Sequence, residues 1–413
     1  MHRALIIAHP FPPAGGGGVQ RSAKLVKYLP SFGWRATVLT THAELYPELM
    51  GVEDRALLAE VESEAEIVRV YSPEAIALPK GMDRWLKRLA PPDKSVLWNP
   101  GALTRAVALH VMNPFEIIYA TANPYSSFLL ARELARLIRR PYVLDMRDAW
   151  RLRGNRKEGH ALTELRLARL ERISLEGARH VIFATKPMEE RYLENYPFLR
   201  GNSSTVINGF DERDYPSAAN PSPLKGAADP VIFFYSGTWN DYVKPDLLLK
   251  AFQDARAQDS DFRARARLEM IGRTLSSIDG LIDRHGLREI YAHRGYKSHP
   301  ETVLLQRTAD VLLLVTSGLP DEQQAKTAEY LAAGRPVVAL VDEGVPAEKL
   351  IRHATHLETA RPDDVVGATR ALLAAFHAAN ERRVGPVLPV PAPALEPFTR
   401  RAAAHAVAAI FER

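Results

Sequence analysis

The sequence predicts an α/β chain of two doubly wound domains, and three observations predict it. Short apolar, β-branched runs alternate with segments of helical period. That alternation halts at a stretch rich in proline, alanine and serine and then restarts. Several apolar runs also end in a glycine or a charged residue, as strands do where a parallel sheet binds ligands beyond its carboxyl edge. The 413 residues exceed one ordinary core and suit two, and a mixture of 46% hydrophobic and 25% charged residues can fill them.

The first strand is Ala4–Ala8, an apolar run too short for a secretory core. Further strands are expected at Ala36–Thr40, Ile67–Val70, Ile117–Ala120, Tyr142–Asp145, Val181–Ala184 and Thr205–Ile207. Helices are expected between them, among them Gln20–Pro30, Tyr125–Arg139 and Thr163–Gly177. Residues 1–210 thus make a first domain, and 211–230 read as a linker. The pattern resumes with strands at Val231–Ser236, Arg267–Ile271, Ile290–His293, Val311–Val315 and Pro336–Leu340. Its helices lie near Pro245–Ala257, Ser276–Gly286, Pro300–Thr308 and Lys326–Ala333. A second proline-rich stretch closes this domain, 231–397, and a last helix, Phe398–Phe411, is expected to return to the first domain. With two such domains, ligands are expected in a cleft that both face.

Composition removes several function classes. No cysteine is present, which excludes disulfides, thiolate catalysis and cysteine-ligated metals and suits a reducing compartment. No apolar run approaches the roughly 20 residues that span a bilayer, so the chain reads as soluble and cytoplasmic. The net charge of +5 is mild and interspersed; it fits an anionic ligand or a membrane surface, not a nucleic-acid reader.

The first strand runs into His9-Pro10-Phe11-Pro12-Pro13-Ala14-Gly15-Gly16-Gly17-Gly18 before a helix. Glycines there let backbone N–H groups approach a ligand at a positive helix end. The spacing is not a dinucleotide fingerprint, and the second strand ends Leu39-Thr40-Thr41 without the acid that would hold a ribose. The fifth strand leads into Asp145-Met146-Arg147-Asp148. Asp148 could accept from a hydroxylated substrate and Arg147 could face a phosphate; the pair could equally cap the next helix. Asn123, at a neighbouring strand end, reads as acceptor-side or as a helix cap.

In the second half Gly237 follows a strand, with Lys244 shortly after, and Gly272-Arg273 repeats the placement. Lys244 and Arg273 from adjacent strand ends would neutralise a departing diphosphate. The most informative stretch is Asp321 to Val338. The first turn of its helix offers the N–H groups of Gln324, Ala325, Lys326 and Thr327 to a phosphate, and Glu329 can reach a ribose diol. The tight Asp259-Ser260-Asp261 follows a helix in a polar stretch, so no metal is expected there or elsewhere.

These segments, in order, resemble the retaining bacterial glycosyltransferases of family 4. The match is carried by the glycine loop, Asp145 to Trp150, Asn208-Gly209-Phe210-Asp211, Tyr235-Ser236-Gly237, Gly295-Tyr296-Lys297-Ser298-His299, Ala309-Asp310-Val311 and Glu329 to Pro336. The resemblance implies the GT-B architecture, two Rossmann-like domains, and a sugar taken with retention and without metal or cofactor from a nucleoside diphosphate sugar, UDP- or GDP-linked. It implies that Glu329 holds the donor ribose, that Asp321 lies near the transferred sugar, and that Lys244 grips the diphosphate. Gly16 and Gly17 would close on donor and acceptor, and the nucleobase would meet the turn at Tyr296. Asp148 and Asp321 would orient sugar hydroxyls as the catalytic pair, with Asn123 and Arg147 toward the acceptor. Asp321 departs from the family's glutamate by one methylene, and the arginine that often precedes the lysine has no counterpart in Thr238–Val243.

Two further readings share the scaffold. A nucleotide-sugar epimerase would need acid/base residues, for which Asp148 and His299 are the candidates. A non-catalytic subunit would explain the Asp321 departure. One segment also suggests a peripheral membrane contact: within 80–90, Met82, Trp85, Leu86 and Leu89 share a face opposite Lys80, Arg84, Lys87 and Arg88. That pattern suits a lipid-linked acceptor at the inner face of a membrane, and equally a helix covering the sheet.

Overall fold

The structure is a computed structural model that describes residues 1–42, 53–73, 91–152, 161–215, 226, 228–239, 243, 245–274, 278–316, 318–321, 323–382 and 393–413. The chain forms two compact units, Met1–Ile207 with Arg400–Arg413, and Asn208–Thr399.

The first unit is a seven-stranded parallel sheet. Its strands are β1 (His2–Ile7), β2 (Trp34–Thr41), β3 (Ala65–Val70), β4 (Ile117–Thr121), β5 (Tyr142–Met146), β6 (His180–Phe183) and β7 (Ser203–Thr205), in the order β3-β2-β1-β4-β5-β6-β7. Every pairing is parallel. Helices cover both faces, so the central strands are apolar on both sides: Leu5, Ile7, Ile118, Ala120 and Leu144 enter one core, and Ala4, Ile6, Tyr119 and Val143 the other. The strand order reverses between β1 and β4, which makes their carboxyl ends the expected ligand side. The terminal helix Arg400–Glu412 packs on this unit, where Phe411 meets Trp34 and Tyr119 edge-on. Its amphipathic face closes the second of the two cores.

The second unit repeats the plan with six parallel strands: β8 (Val231–Ser236), β9 (Ala266–Ile271), β10 (Tyr291–His293), β11 (Val311–Val315), β12 (Val337–Leu340) and β13 (Leu357–Ala360), in the order β10-β9-β8-β11-β12-β13. Phe233, Tyr235, Leu313 and Val315 fill one core, and Phe234, Leu312 and Leu314 the other. The reversal falls between β8 and β11.

The stretch 211–230, expected as a linker, is not one throughout. Phe210 and Tyr215 are buried in the second unit's core, because two aromatics in sequence reach there are worth more inside than in water. Asp211 accepts from the Arg213 N–H to open a short turn, and Phe210 N–H donates to Phe398 O. Residues 216–225 and 227, the helix-like segment 80–90, and Lys244 lie outside the described residues.

Candidate functional site

At the carboxyl ends of β1, β4 and β5 the first unit ties its polar side chains to one another. The helix after β1 is Gly17–Tyr28, so Gly17 and Gly18 are its first residues, not part of a long loop, and exposed Gly16 is the N-cap without a capping side chain. Four residues in, buried Arg21 donates from Nε (2.9 Å) and Nη2 (2.8 Å) to the fully buried Asp145 carboxylate. Thr121 Oγ1 adds a third donor at 2.9 Å. Burial alone would raise the Asp145 carboxyl, but the Arg21 charge and hydrogen bonds outweigh it and hold it below its ordinary value.

Arg147 lies against the helix start. A Cβ on Gly18 would overlap its guanidinium, so glycine is what lets the arginine lie there. Its Nη2 donates to Asn123 O at 3.3 Å, and burial lowers its pKa. Asn123 is not the helix cap: it donates from Nδ2 to Asp148 Oδ2 at 3.0 Å, while Asp93 accepts the Ser126 N–H at the start of helix Ser126–Ile138. Asn123, Arg147 and Asp148 are therefore brought together, and Gly16 and Gly17 lie on the same edge of the sheet.

In the second unit the loops leaving β8, β9 and β10 are zipped side by side. Gly237 N–H donates to Ile271 O, Gly272 N–H to Gly295 O, and Trp239 N–H to Arg273 O. Gly272 has φ +113°, and a Cβ there would overlap the Gly237 carbonyl, so no other residue fits without moving the loop.

Over this zipped edge lies the first turn of the helix Ala325–Ala333, with Gln324 at its N-cap. Lys326 Nζ lies 3.7 Å above the centroid of the Tyr235 ring and against Gly237. A cation over an aromatic face next to a helix N-terminus puts fixed positive charge, side-chain and dipolar, at one place. The Thr327 hydroxyl on that turn is buried without a hydrogen-bond partner among the described residues. Gln324 Nε2 donates to Val315 O, which fastens the turn to the end of β11.

One turn further, Glu329 is held from one side only. Gln306 Nε2 donates to its Oε2 at 3.1 Å, and the carboxylate makes no other hydrogen bond among the described residues. Fully buried Gln306 is fixed in turn by Tyr215 Oη, which donates to its Oε1, and by Ser236 Oγ. The Tyr330 hydroxyl accepts the Ser236 N–H at 3.1 Å. Burial, then the nearby Glu329 charge, pushes Tyr215 far above its ordinary value, so it stays a donor. Gln306 and Tyr215 were not marked by sequence spacing, because both lie far along the chain from Glu329.

Residues 16–207 match the family described as the glycosyl transferase 4-like domain. The match lies within the first unit. No curated protein matches the sequence. Among solved structures, the chain is similar to sucrose-phosphate synthase from Thermosynechococcus elongatus, with a TM-score of 0.65 at 17% identity, covering 100% of this chain and 98% of that one. It is similar to HepE from Anabaena, solved with UDP and glucose, with a TM-score of 0.60 at 17% identity, covering 99% and 95%. It is also similar to a Listeria monocytogenes chain provisionally assigned as a UDP-N-acetylglucosamine 2-epimerase, with a TM-score of 0.59 at 11% identity, covering 99% and 95%. At such identities the likeness is one of fold, and the fold is GT-B.

The remaining candidates scatter more widely. Asp321 is buried in the turn between β11 and the helix Ala325–Ala333. Arg273 is exposed just beyond β9, and its side chain makes no ion pair among the described residues. Tyr296 is exposed just past Gly295. His299 is the first helical residue, not a cap: Ser298 caps, and buried His299 Nε2 lies 2.9 Å from Asp214 Oδ2. Asp259, the first acid of the Asp-x-Asp, is a helix N-cap that accepts from the N–H groups of Asp261 and Phe262. No helix of the described residues is long and apolar enough to cross a membrane.

Proposed function

We propose that this chain is a glycosyltransferase that moves a sugar from a nucleoside diphosphate sugar to an acceptor hydroxyl, with the donor held by the second unit. The observation that carries the reading is the grouping at the β8–β11 reversal. Lys326 and a helix N-terminus offer positive charge, and one turn on Glu329 keeps a carboxylate oxygen without a donor among the described residues. Charge that develops on a departing diphosphate is met by fixed donors and cations, and a ribose diol by a carboxylate that accepts from both hydroxyls. HepE, of the same fold, was solved with UDP and glucose, which supports a UDP-sugar among the candidate donors.

In this reading Lys326, Arg273 and Lys244 take up the diphosphate charge that a metal would otherwise meet. Asp321 contacts the transferred sugar. The acceptor attacks on the face from which the phosphate departs, so configuration is retained and the leaving oxygen takes the acceptor proton. The first unit supplies Asn123, Arg147 and Asp148 toward the acceptor, lipid-linked acceptors at a cytoplasmic membrane face included. The epimerase reading is not favoured, since His299 is engaged by Asp214.

Calorimetric titration of UDP, GDP and their glucose conjugates against the wild type and Glu329→Ala tests the proposal. At least one nucleotide is expected to bind the wild type with a Kd in the micromolar range and the variant at least tenfold more weakly. Equal binding to both would remove Glu329 from the site, and no binding at all would favour a non-catalytic subunit. Consumption of donor without any acceptor would favour the epimerase.

A further inference from the structure

The segment 147–152 carries Asp148 but belongs to no ladder beyond the end of β5, so its backbone groups must be satisfied elsewhere. Side chains do it. Tyr125 Oη donates to the carbonyls of Asp148 (3.1 Å) and Ala149 (2.8 Å). The Trp150 N–H donates to Tyr192 Oη at 3.0 Å, the Arg151 N–H to Glu171 Oε1 at 3.1 Å, and Arg191 Nη1 to Leu152 O at 2.8 Å. The Trp150 ring stacks on Tyr125 at 4.7 Å with 8° between planes, so the aromatic pair and the hydrogen bonds hold the same stretch of chain.

Two of these bonds, from the Trp150 and Arg151 N–H groups, converge on one fully buried carboxylate. Glu171, on the helix Ala161–Glu176, accepts from Tyr192 Oη at 2.6 Å and from Tyr196 Oη at 2.7 Å besides the Arg151 N–H, and Arg151 Nε lies 3.4 Å from its Oε2. Tyr192 both donates to Glu171 and accepts from Trp150, so the Trp150 N–H is fastened to the carboxylate through one hydroxyl. Buried carboxylates are rare unless paired and hydrogen-bonded. Here the donors come from the acceptor-side loop and from a separate helix, Lys186–Asn195, with the Tyr196 that follows it. Directly at Arg151 and through Tyr192 at Trp150, this one carboxylate reaches two consecutive N–H groups of the segment that carries Asp148.

We propose that Glu171 is a positioning residue: its buried carboxylate, acting through Tyr192 and the Arg151 N–H, fixes residues 148–151 and so sets where Asp148 is presented. The inference rests on the reading of the first unit as the acceptor side only for what Asp148 then does. The anchoring itself is independent of it.

Hydrogen exchange of the full chain tests the anchoring in Glu171→Gln and, as a second variant that leaves the carboxylate, Tyr192→Phe. Exchange of the 148–151 amides is expected to quicken at least tenfold in both, while the amides of β1, β4 and β5 keep the wild-type rate. The near-ultraviolet circular dichroism of the Tyr125–Trp150 pair should fall toward that of Trp150→Phe. Unchanged exchange at 148–151 in both variants, or an equal rise throughout the unit, would overturn the proposal, the latter because it marks mere core support. The midpoint shift caused by saturating UDP is measured alongside. Its absence in the wild type would defeat the donor reading and leave the anchoring decided by exchange alone.

Discussion

The carboxyl ends of the two sheets use their charges in opposite ways. In the first unit Arg21 is closed on Asp145, Arg147 lies on the helix start and reaches Asn123, and Asn123 holds Asp148. In the second, Glu329 has one neutral partner, Arg273 is exposed, and Lys326 lies over an aromatic ring. A pre-tied set suits a surface whose own geometry must be kept, whereas a cationic edge with a one-sided carboxylate suits a charged ligand that completes it. The same doubly wound scaffold therefore ties its charged side chains to one another on one edge and, in the proposed reading, leaves the other edge to a ligand.

The sharpest break of this contrast is in the first unit. Asp145→Asn leaves Arg21 buried without its counter-charge, and a loss of about 3–5 kcal/mol is expected on chemical denaturation. A carboxylate held below its ordinary value contributes stability that is present above the ordinary range and is lost as pH falls through the folded value. The wild type should therefore weaken on acidification below about pH 4, and the variant should lose less over that interval. An equal acid response in both would remove the pair from the account.

Next in size is Gly272→Ala. The Cβ would overlap the Gly237 carbonyl at a positive φ, so a loss of about 1–3 kcal/mol is expected in thermal melts, with nucleotide binding weakened alongside. Lys326→Met is expected to weaken diphosphate binding by about 1–2 kcal/mol, with a flatter salt dependence in the titration. Arg273→Ala is the smallest: an exposed cation contributes about 0–1 kcal/mol to anion binding, seen best at low salt. A reversal of these last two would move the charge contact from the helix turn to the β9 end.

Much of the architecture was legible because buried parallel strands read as unbroken apolar runs. Val311–Val315 and Val337–Leu340 stand out on that ground. The edge strand Leu357–Ala360 did not, since Leu-Glu-Thr-Ala has no apolar face to announce it. Among the site residues, Glu329 and Lys326 were legible because one helix turn sets their spacing. Long-range partners were not: Gln306 lies 23 residues from Glu329, and in the first unit Arg21 lies 124 from Asp145, separations that only the folded chain closes. The helix start was also misjudged at Gln20, because Gly17 and Gly18 have poor helix propensity and tertiary contact with Arg147 overrides it.

The most direct test of the central claim is the footprint of a nucleotide on the intact chain. Hydrogen exchange with and without saturating UDP or GDP should show protection confined to the second unit, at 236–238, 272–274 and 324–330. Protection confined instead to the first unit's glycine turn and 147–151 would contradict it.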